Sequence, residues 1–212
     1  MMIFSHERLY RGAELMARLG DLAVTVCGAG ALGANLVENC VRQGFARLHV
    51  IDRDRVEQRN LSTQPYGRRS IGRPKAQILS YDLYRALGVE IKYEVIELTA
   101  DNVERLLARS DVVVDCFDNK PARTAVKEAC LALRVPCLHV GLSAGYAEVI
   151  WNENYRVPAG TQEDLCDYPL ARNTVLLAVI AATEELIRFA RGLARRNVTI
   201  TLEDLTVRQV EL

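Results

Sequence analysis

Apolar positions along this chain fall into two rhythms. Short unbroken runs at Leu22–Cys27, Leu48–Ile51, Val112–Cys116 and Cys137–Val140 have the length and β-branched content of strands buried on both faces. Between them apolar residues recur at helical spacing: Leu32, Leu36, Val37, Cys40 and Val41 up to Gly44, then Ala76, Leu79, Leu83 and Leu87 up to Gly88, then a helix over Pro121–Leu133. Ile91–Ile96 reads as another strand and Asp101–Arg109 as a short helix started by Thr99 or Asp101. Strands alternating with crossover helices predict a doubly wound, mostly parallel α/β sheet. Residues 6–19 read as an amphipathic helix ahead of it, with Leu9, Ala13, Leu15, Met16 and Leu19 apolar. Gly145–Trp151 reads as a strand that leaves the parallel part, and Thr174–Arg191 as a helix apolar through its first half. Val198–Leu202 and Leu205–Val210, joined by Glu203-Asp204, alternate like an antiparallel hairpin. One domain over 1–212 is expected, with an N-terminal helix in 1–20, a crossover loop at 152–172 and a C-terminal hairpin at 197–212.

Composition narrows the class. Half of the 212 residues are apolar, and 27 basic residues balance 27 acidic ones, which argues against a general nucleic-acid or membrane surface. The N-terminus lacks the apolar core of a signal peptide, and the longest apolar run, Val175–Ala182, is too short to span a bilayer. A soluble, cytoplasmic protein is expected. The six cysteines form no C-x-x-C pair, so no zinc site is expected. Cys27, Cys40, Cys116, Cys130 and Cys137 fall on strands or apolar helix faces as small hydrophobes, whereas Cys166 lies in a polar loop.

The densest chemistry begins where the first strand ends. Gly28-Ala29-Gly30-Ala31-Leu32-Gly33 is a G-x-G-x-x-G turn between strand and helix, and Asp52 closes the next strand. Gly28 permits the tight turn, Gly30 lets backbone approach a phosphate, and Gly33 lets helix and strand pack closely. The helix N-terminus offers unpaired N–H groups to an anion, and Asp52 is placed to accept from a ribose hydroxyl. Together these predict a Rossmann-like fold with an adenine-nucleotide site, without saying which nucleotide. After Asp52 comes a long polar loop, Arg53 to Tyr66, at a strand's carboxyl end. Lys75 then stands in the first turn of a helix, where the dipole disfavours a cation unless something anionic lies beside it.

The spacing Asp52-x-Asp54-x-Val56, Asn60-Leu61-x-x-Gln64, Ile71-Gly72-x-Pro74-Lys75, and Asp115-x-x-Asp118-Asn119-x-x-x-Arg123 resembles the ThiF/MoeB/E1-like superfamily of ubiquitin-like and sulfur-carrier activating enzymes, over roughly residues 6–190. The resemblance implies an adenylyltransferase that binds Mg-ATP and joins AMP to the C-terminal glycine carboxylate of a small β-grasp carrier protein ending in Gly-Gly, as a homodimer. It implies that Gly28, Gly30, Ala31, Leu32 and Gly33 cradle the nucleotide, with Asp52 on the ribose and Asp54 ordering the same loop. Asn60 and Lys75 would contact phosphates, Gln64 and Asn119 would line the site, and Asp118 would hold the magnesium ion. An arginine from an N-terminal helix, Arg8 or Arg11, would reach the site, often across a dimer interface. Structural readings stand beside these: Asp52 could cap a turn, Asn60 could serve an Asx-turn, and Asp118-Asn119 could cap the following helix.

One position departs from the family pattern N-L-x-R-Q: Thr63 stands where an arginine is usual. Arg59, Arg68, Arg69 or Arg73 could supply the missing charge, or the chain could bind nucleotide as a non-catalytic partner subunit. In the family a cysteine at a similar distance before the last helix takes the activated carrier. Cys166 occupies that place, although Glu163, Asp164 and Asp167 beside it oppose thiolate formation. Relatives that act on tRNA or a peptide carboxylate supply an alternative substrate, and the neutral charge argues against tRNA. A nicotinamide oxidoreductase fits the glycine turn alone and fails on the later motifs.

Overall fold

A strand buried on both faces needs helices above and below it, and the chain supplies them in alternation. The computed structural model describes residues 2–158 and 169–211. The strands are β1 (Ala23–Cys27), β2 (Arg47–Ile51), β3 (Lys92–Glu94), β4 (Val112–Asp115), β5 (Cys137–Ser143), β6 (Tyr146–Trp151), β7 (Asn197–Thr201) and β8 (Thr206–Val210). The helices are α1 (Ser5–Arg11), α2 (Ala13–Asp21), α3 (Ala31–Arg42), α4 (Lys75–Leu87), α5 (Val103–Leu107), α6 (Lys120–Leu133) and α7 (Arg172–Ala190). All described strands form one sheet in the order β3-β2-β1-β4-β5-β6-β7-β8. The first five neighbours pair parallel and the last three pairings are antiparallel, as the patterning predicts.

Period-two alternation sorts β4 between two cores. Val112 and Val114 pack with Leu36, Val37, Leu79 and Val175 from α3, α4 and α7. Val113 points the other way, toward Leu106 of α5 and Val126 and Ala129 of α6. The chain leaves β1 toward β2 and β3 on one side and returns to β4 and β5 on the other. The reversal opens a crevice at the carboxyl ends of β1 and β4, where open α/β sheets bind ligands. Register brings the chemistry there: Cys27 lies beside both Ile51 and Asp115. The turn after β1, Asp52 after β2 and Asp118 after β4 therefore emerge at one edge.

Three boundaries differ from the pattern. The expected helix over 6–19 is two helices, α1 and α2, split at Gly12, whose φ of 84° and ψ of 157° are not helical. The strand expected over Ile91–Ile96 shortens to Lys92–Glu94 at the sheet edge. The hairpin turns at 202–205, where Leu205 adopts φ 51°, so β8 starts one residue later than its alternation. Among the described residues no helix is long and apolar enough to cross a membrane.

Candidate functional site

The glycines of the first turn do different jobs. Gly28 has φ 98°, and its N–H donates to the Ile51 carbonyl at 2.8 Å. A Cβ on Gly33 would lie 1.9 Å from the Gly28 carbonyl oxygen, so this glycine is required by helix–strand packing. A Cβ on Gly30 would meet nothing within 4 Å, which leaves open space over the turn. α3 starts there with no side-chain cap, so the first-turn N–H groups of Ala31, Leu32 and Gly33 face that space.

Asp52 is 6% exposed and organises the turn from behind. Its Oδ2 accepts the Ala29 N–H at 2.5 Å and its Oδ1 the Asp54 N–H at 2.6 Å. Burial pushes its pKa up, while the Ala29 N–H and the nearby Lys75 charge pull the other way. The turn-capping reading of Asp52 thus holds. Lys75, only 7% exposed, has its expected anion: Nζ lies 3.1 Å from Asp54 Oδ2. The Lys75 N–H also donates to the Asp54 carbonyl at 2.8 Å, which fixes the start of α4 against the loop. The Asp54 side chain is 57% exposed, so the pair sits at the mouth of the crevice.

The loop between β2 and α4 is laced to α3. Asn35 donates to the Ala31 carbonyl at 2.6 Å and to the Thr63 carbonyl at 2.7 Å. Asn60 does serve a local cap: its Oδ1 accepts the Glu57 N–H at 2.8 Å in a reciprocal capping box. Gln64 is buried, and among the described residues its Oε1 has no hydrogen-bond partner. A buried acceptor left unsatisfied costs about 1–3 kcal/mol, which a bound donor would recover.

The arginines that could supply the charge missing at Thr63 lie on the loop between β2 and α4. Arg59 pairs with Glu57 at 2.7 Å, and Arg68 lines a surface hollow with Leu61 and Ile71. A cation that sequence spacing does not suggest arrives instead from α7, where Arg172 Nη1 donates to the Ser62 carbonyl at 3.3 Å.

At the end of β4 the two aspartates of the D-x-x-D motif separate in role. Asp115 is fully buried; Oδ1 accepts the Phe117 N–H at 3.0 Å, and Oδ2 lies 2.8 Å from His139 Nδ1 and 3.6 Å from Arg123 Nη1. His139 stacks on Tyr155, with ring centroids 3.7 Å apart, and its Nε2 is 2.7 Å from Asn152 Oδ1. Arg123 donates to Tyr155 Oη at 2.8 Å and to the Val140 carbonyl at 2.9 Å. This buried network braces the turn that carries Asp118. Capping falls to Asn119, whose Oδ1 accepts the Ala122 N–H at 2.9 Å. Asp118 is exposed, and among the described residues its carboxylate has no partner. An exposed carboxylate at the end of a strand is of the kind that suits a magnesium ion, which takes one or two protein carboxylates and otherwise phosphate and water. His139, Tyr155 and Tyr66 were invisible in the sequence, because a strand histidine and loop tyrosines carry no spacing signal.

The two N-terminal arginines also separate. Arg11 is 10% exposed and consumed within the chain, at 2.7 Å from Glu7 and 2.8 Å from Glu184, with a bond to Gln43. Arg8 is exposed, and no described residue pairs with its side chain. Beside it Leu9 and Tyr10 are 84% and 82% exposed. Cys27, Cys40, Cys116, Cys130 and Cys137 are buried, and burial raises the thiols of Cys27, Cys116 and Cys137 and pushes Cys40 up to about 12. None of these four is a ready thiolate. Cys166 lies outside the described residues.

Known proteins resemble this chain in sequence and in fold. The sulfur carrier protein adenylyltransferase of Thermus thermophilus is 37% identical over 128 residues, covering 59% of this chain and 47% of the relative. The SAMP-activating enzyme E1 of Haloferax volcanii is 36% identical over 131 residues, covering 60% and 48%. The chain therefore spans about half the length of the curated relatives it matches. Among solved structures, E. coli MccB superposes with a TM-score of 0.81 at 15% identity, over 97% of this chain and 67% of that one. The same enzyme crystallised with ATP gives 0.80 at 15% identity, over 97% and 69%, a likeness of fold. The ThiF family profile matches residues 6–207, and the chain belongs to the ThiF family.

Proposed function

We propose that this chain is an ATP-dependent adenylyltransferase that activates the C-terminal glycine carboxylate of a small β-grasp carrier protein ending in Gly-Gly. The observation that carries this reading is convergence: the glycine turn, Lys75 and Asp118 leave β1, the loop after β2, and β4 at one crevice. A carboxylate oxygen of the carrier attacks the α-phosphorus, the bond to the β-phosphate breaks, and pyrophosphate leaves with the electron pair. The nucleophile is already ionised at neutral pH, so no general base is needed. The task is to bring two anions together and let a third depart, which positioning and fixed cations accomplish.

In this account Gly30 and the first turn of α3 hold the phosphates, and Asp52 holds the ribose. Lys75 exchanges Asp54 for a phosphate oxygen, and the Gln64 carbonyl accepts from the nucleotide. Asp118, next to the Asn119 cap, would hold a magnesium ion, which would supply positive charge beside the phosphates. Arg8 of a second copy would reach the phosphates in a homodimer, since Arg11 is committed to Glu7 and Glu184. The sulfur-carrier names of the curated relatives support a carrier protein as substrate, and Cys166 is the candidate to receive the activated chain.

Carrier-dependent ATP–pyrophosphate exchange tests the proposal. Wild type should exchange, while Lys75→Ala and Asp118→Ala should fall by about 100-fold or more, Asp118→Ala with unchanged thermal stability. Equal, negligible exchange in all three would leave a nucleotide-binding partner subunit in place of the enzyme.

A further inference from the structure

Tyr66 is a buried phenol, 5% exposed, whose hydroxyl donates to the Ala29 carbonyl at 2.8 Å. That carbonyl shares a planar trans peptide with the N–H of Gly30, so the two groups point in opposite directions. Holding the carbonyl toward Tyr66 turns the Gly30 N–H away from it, on a residue whose Cβ would meet nothing within 4 Å. The preceding peptide is fixed separately, because the Ala29 N–H donates to Asp52 Oδ2 at 2.5 Å. Two consecutive peptides are thus clamped from behind, one by Asp52 and one by Tyr66. A hydrogen-bonded carbonyl also polarises its own amide, which makes the partner N–H a stronger donor.

We infer that Tyr66 is a positioning residue for nucleotide binding: it aims the Gly30 N–H at the phosphates and ties the loop carrying Asn60 and Gln64 to the glycine turn. The inference rests on the nucleotide reading above and deepens it. Asn35, bonded to the Thr63 carbonyl at 2.7 Å, is a second tie between the same loop and α3. Ligand contacts made by the turn and by the loop are therefore mechanically coupled. Burial pushes the Tyr66 pKa well above the ordinary phenol value, with Asp52 and Asp82 adding to it, so the hydroxyl remains a donor across the working pH range.

The test is equilibrium binding of ATP and of adenosine to the full chain, for wild type and Tyr66→Phe, which keeps the ring and removes the hydroxyl. Tyr66→Phe should bind ATP about tenfold more weakly, the order expected for one lost buried hydrogen bond, with adenosine changed less than about twofold. Equal weakening of both ligands, or unchanged ATP affinity, would reduce Tyr66 to a packing residue. If the variant does not fold, the Gly30 amide resonance of the wild type decides: ATP but not adenosine should move it downfield, and an unmoved resonance overturns the inference. Failure of the wild type to bind ATP at all overturns the nucleotide reading itself, and the inference with it.

Discussion

Single side chains of this chain divide sharply between those spent on the fold and those left over. Arg8 and Arg11 lie one turn apart on α1 and look equivalent in the sequence. The structure commits Arg11 to Glu7 and Glu184, at 2.7 and 2.8 Å, and leaves Arg8 exposed. Arg11→Ala should therefore cost stability, about 1–2 kcal/mol for charged hydrogen bonds at a partly buried site, seen as a melting temperature lower by roughly 3–6 °C. Arg8→Ala should leave the melting temperature in place and lower pyrophosphate exchange about tenfold or more. The reverse pattern would exchange their roles. The same division explains Asp118-Asn119, where a sequence reader meets two residues that can each cap a helix. Asn119 caps α6, so among the described residues Asp118 has no structural contact of its own, as the proposed metal role requires.

At the scale of elements, the β1–turn–α3 unit makes its three glycines unequal, and substitutions can separate them. Gly33→Ala places a Cβ 1.9 Å from the Gly28 carbonyl oxygen, a backbone clash that should destabilise the chain by about 3 kcal/mol or more. Gly30→Ala enters open space, so thermal unfolding should change little while ATP affinity falls as the methyl group blocks the phosphates. Loss of stability in Gly30→Ala with unaltered ATP affinity would contradict the assignment of that space to the ligand. The elements themselves were largely legible, because buried parallel strands write unbroken apolar runs and α3 writes its face at helical spacing. Gly12 was the exception: the apolar spacing of 6–19 continues through it, but its left-handed φ of 84° ends one helix and starts another. Edge strand β3 is shorter than its run because its one neighbour, β2, ends at Ile51, opposite Glu94.

Over the whole molecule, the sheet order decides function more than any motif does. β1 sits between β2 and β4, and Cys27 is in register with Ile51 and Asp115, so motifs about 25 and 90 residues apart in sequence meet at one edge. Motif spacing proposes Gly28, Gly30, Asp52, Lys75 and Asp118 as the ligand contacts. It could not identify the supports beneath them, because Tyr66, Asn35, Arg172 and His139 act through contacts set by tertiary packing. The central claim is that a carrier carboxylate attacks the α-phosphorus of ATP in this crevice. Its most direct measurement uses a β-grasp carrier ending in Gly-Gly with an oxygen-18-labelled C-terminal carboxylate, incubated with ATP, magnesium and the enzyme, and quenched with hydroxylamine. Hydroxylamine attacks the acyl carbon, so the account predicts AMP bearing one oxygen-18 together with pyrophosphate. Unlabelled AMP, or ADP and phosphate as the products, would contradict it.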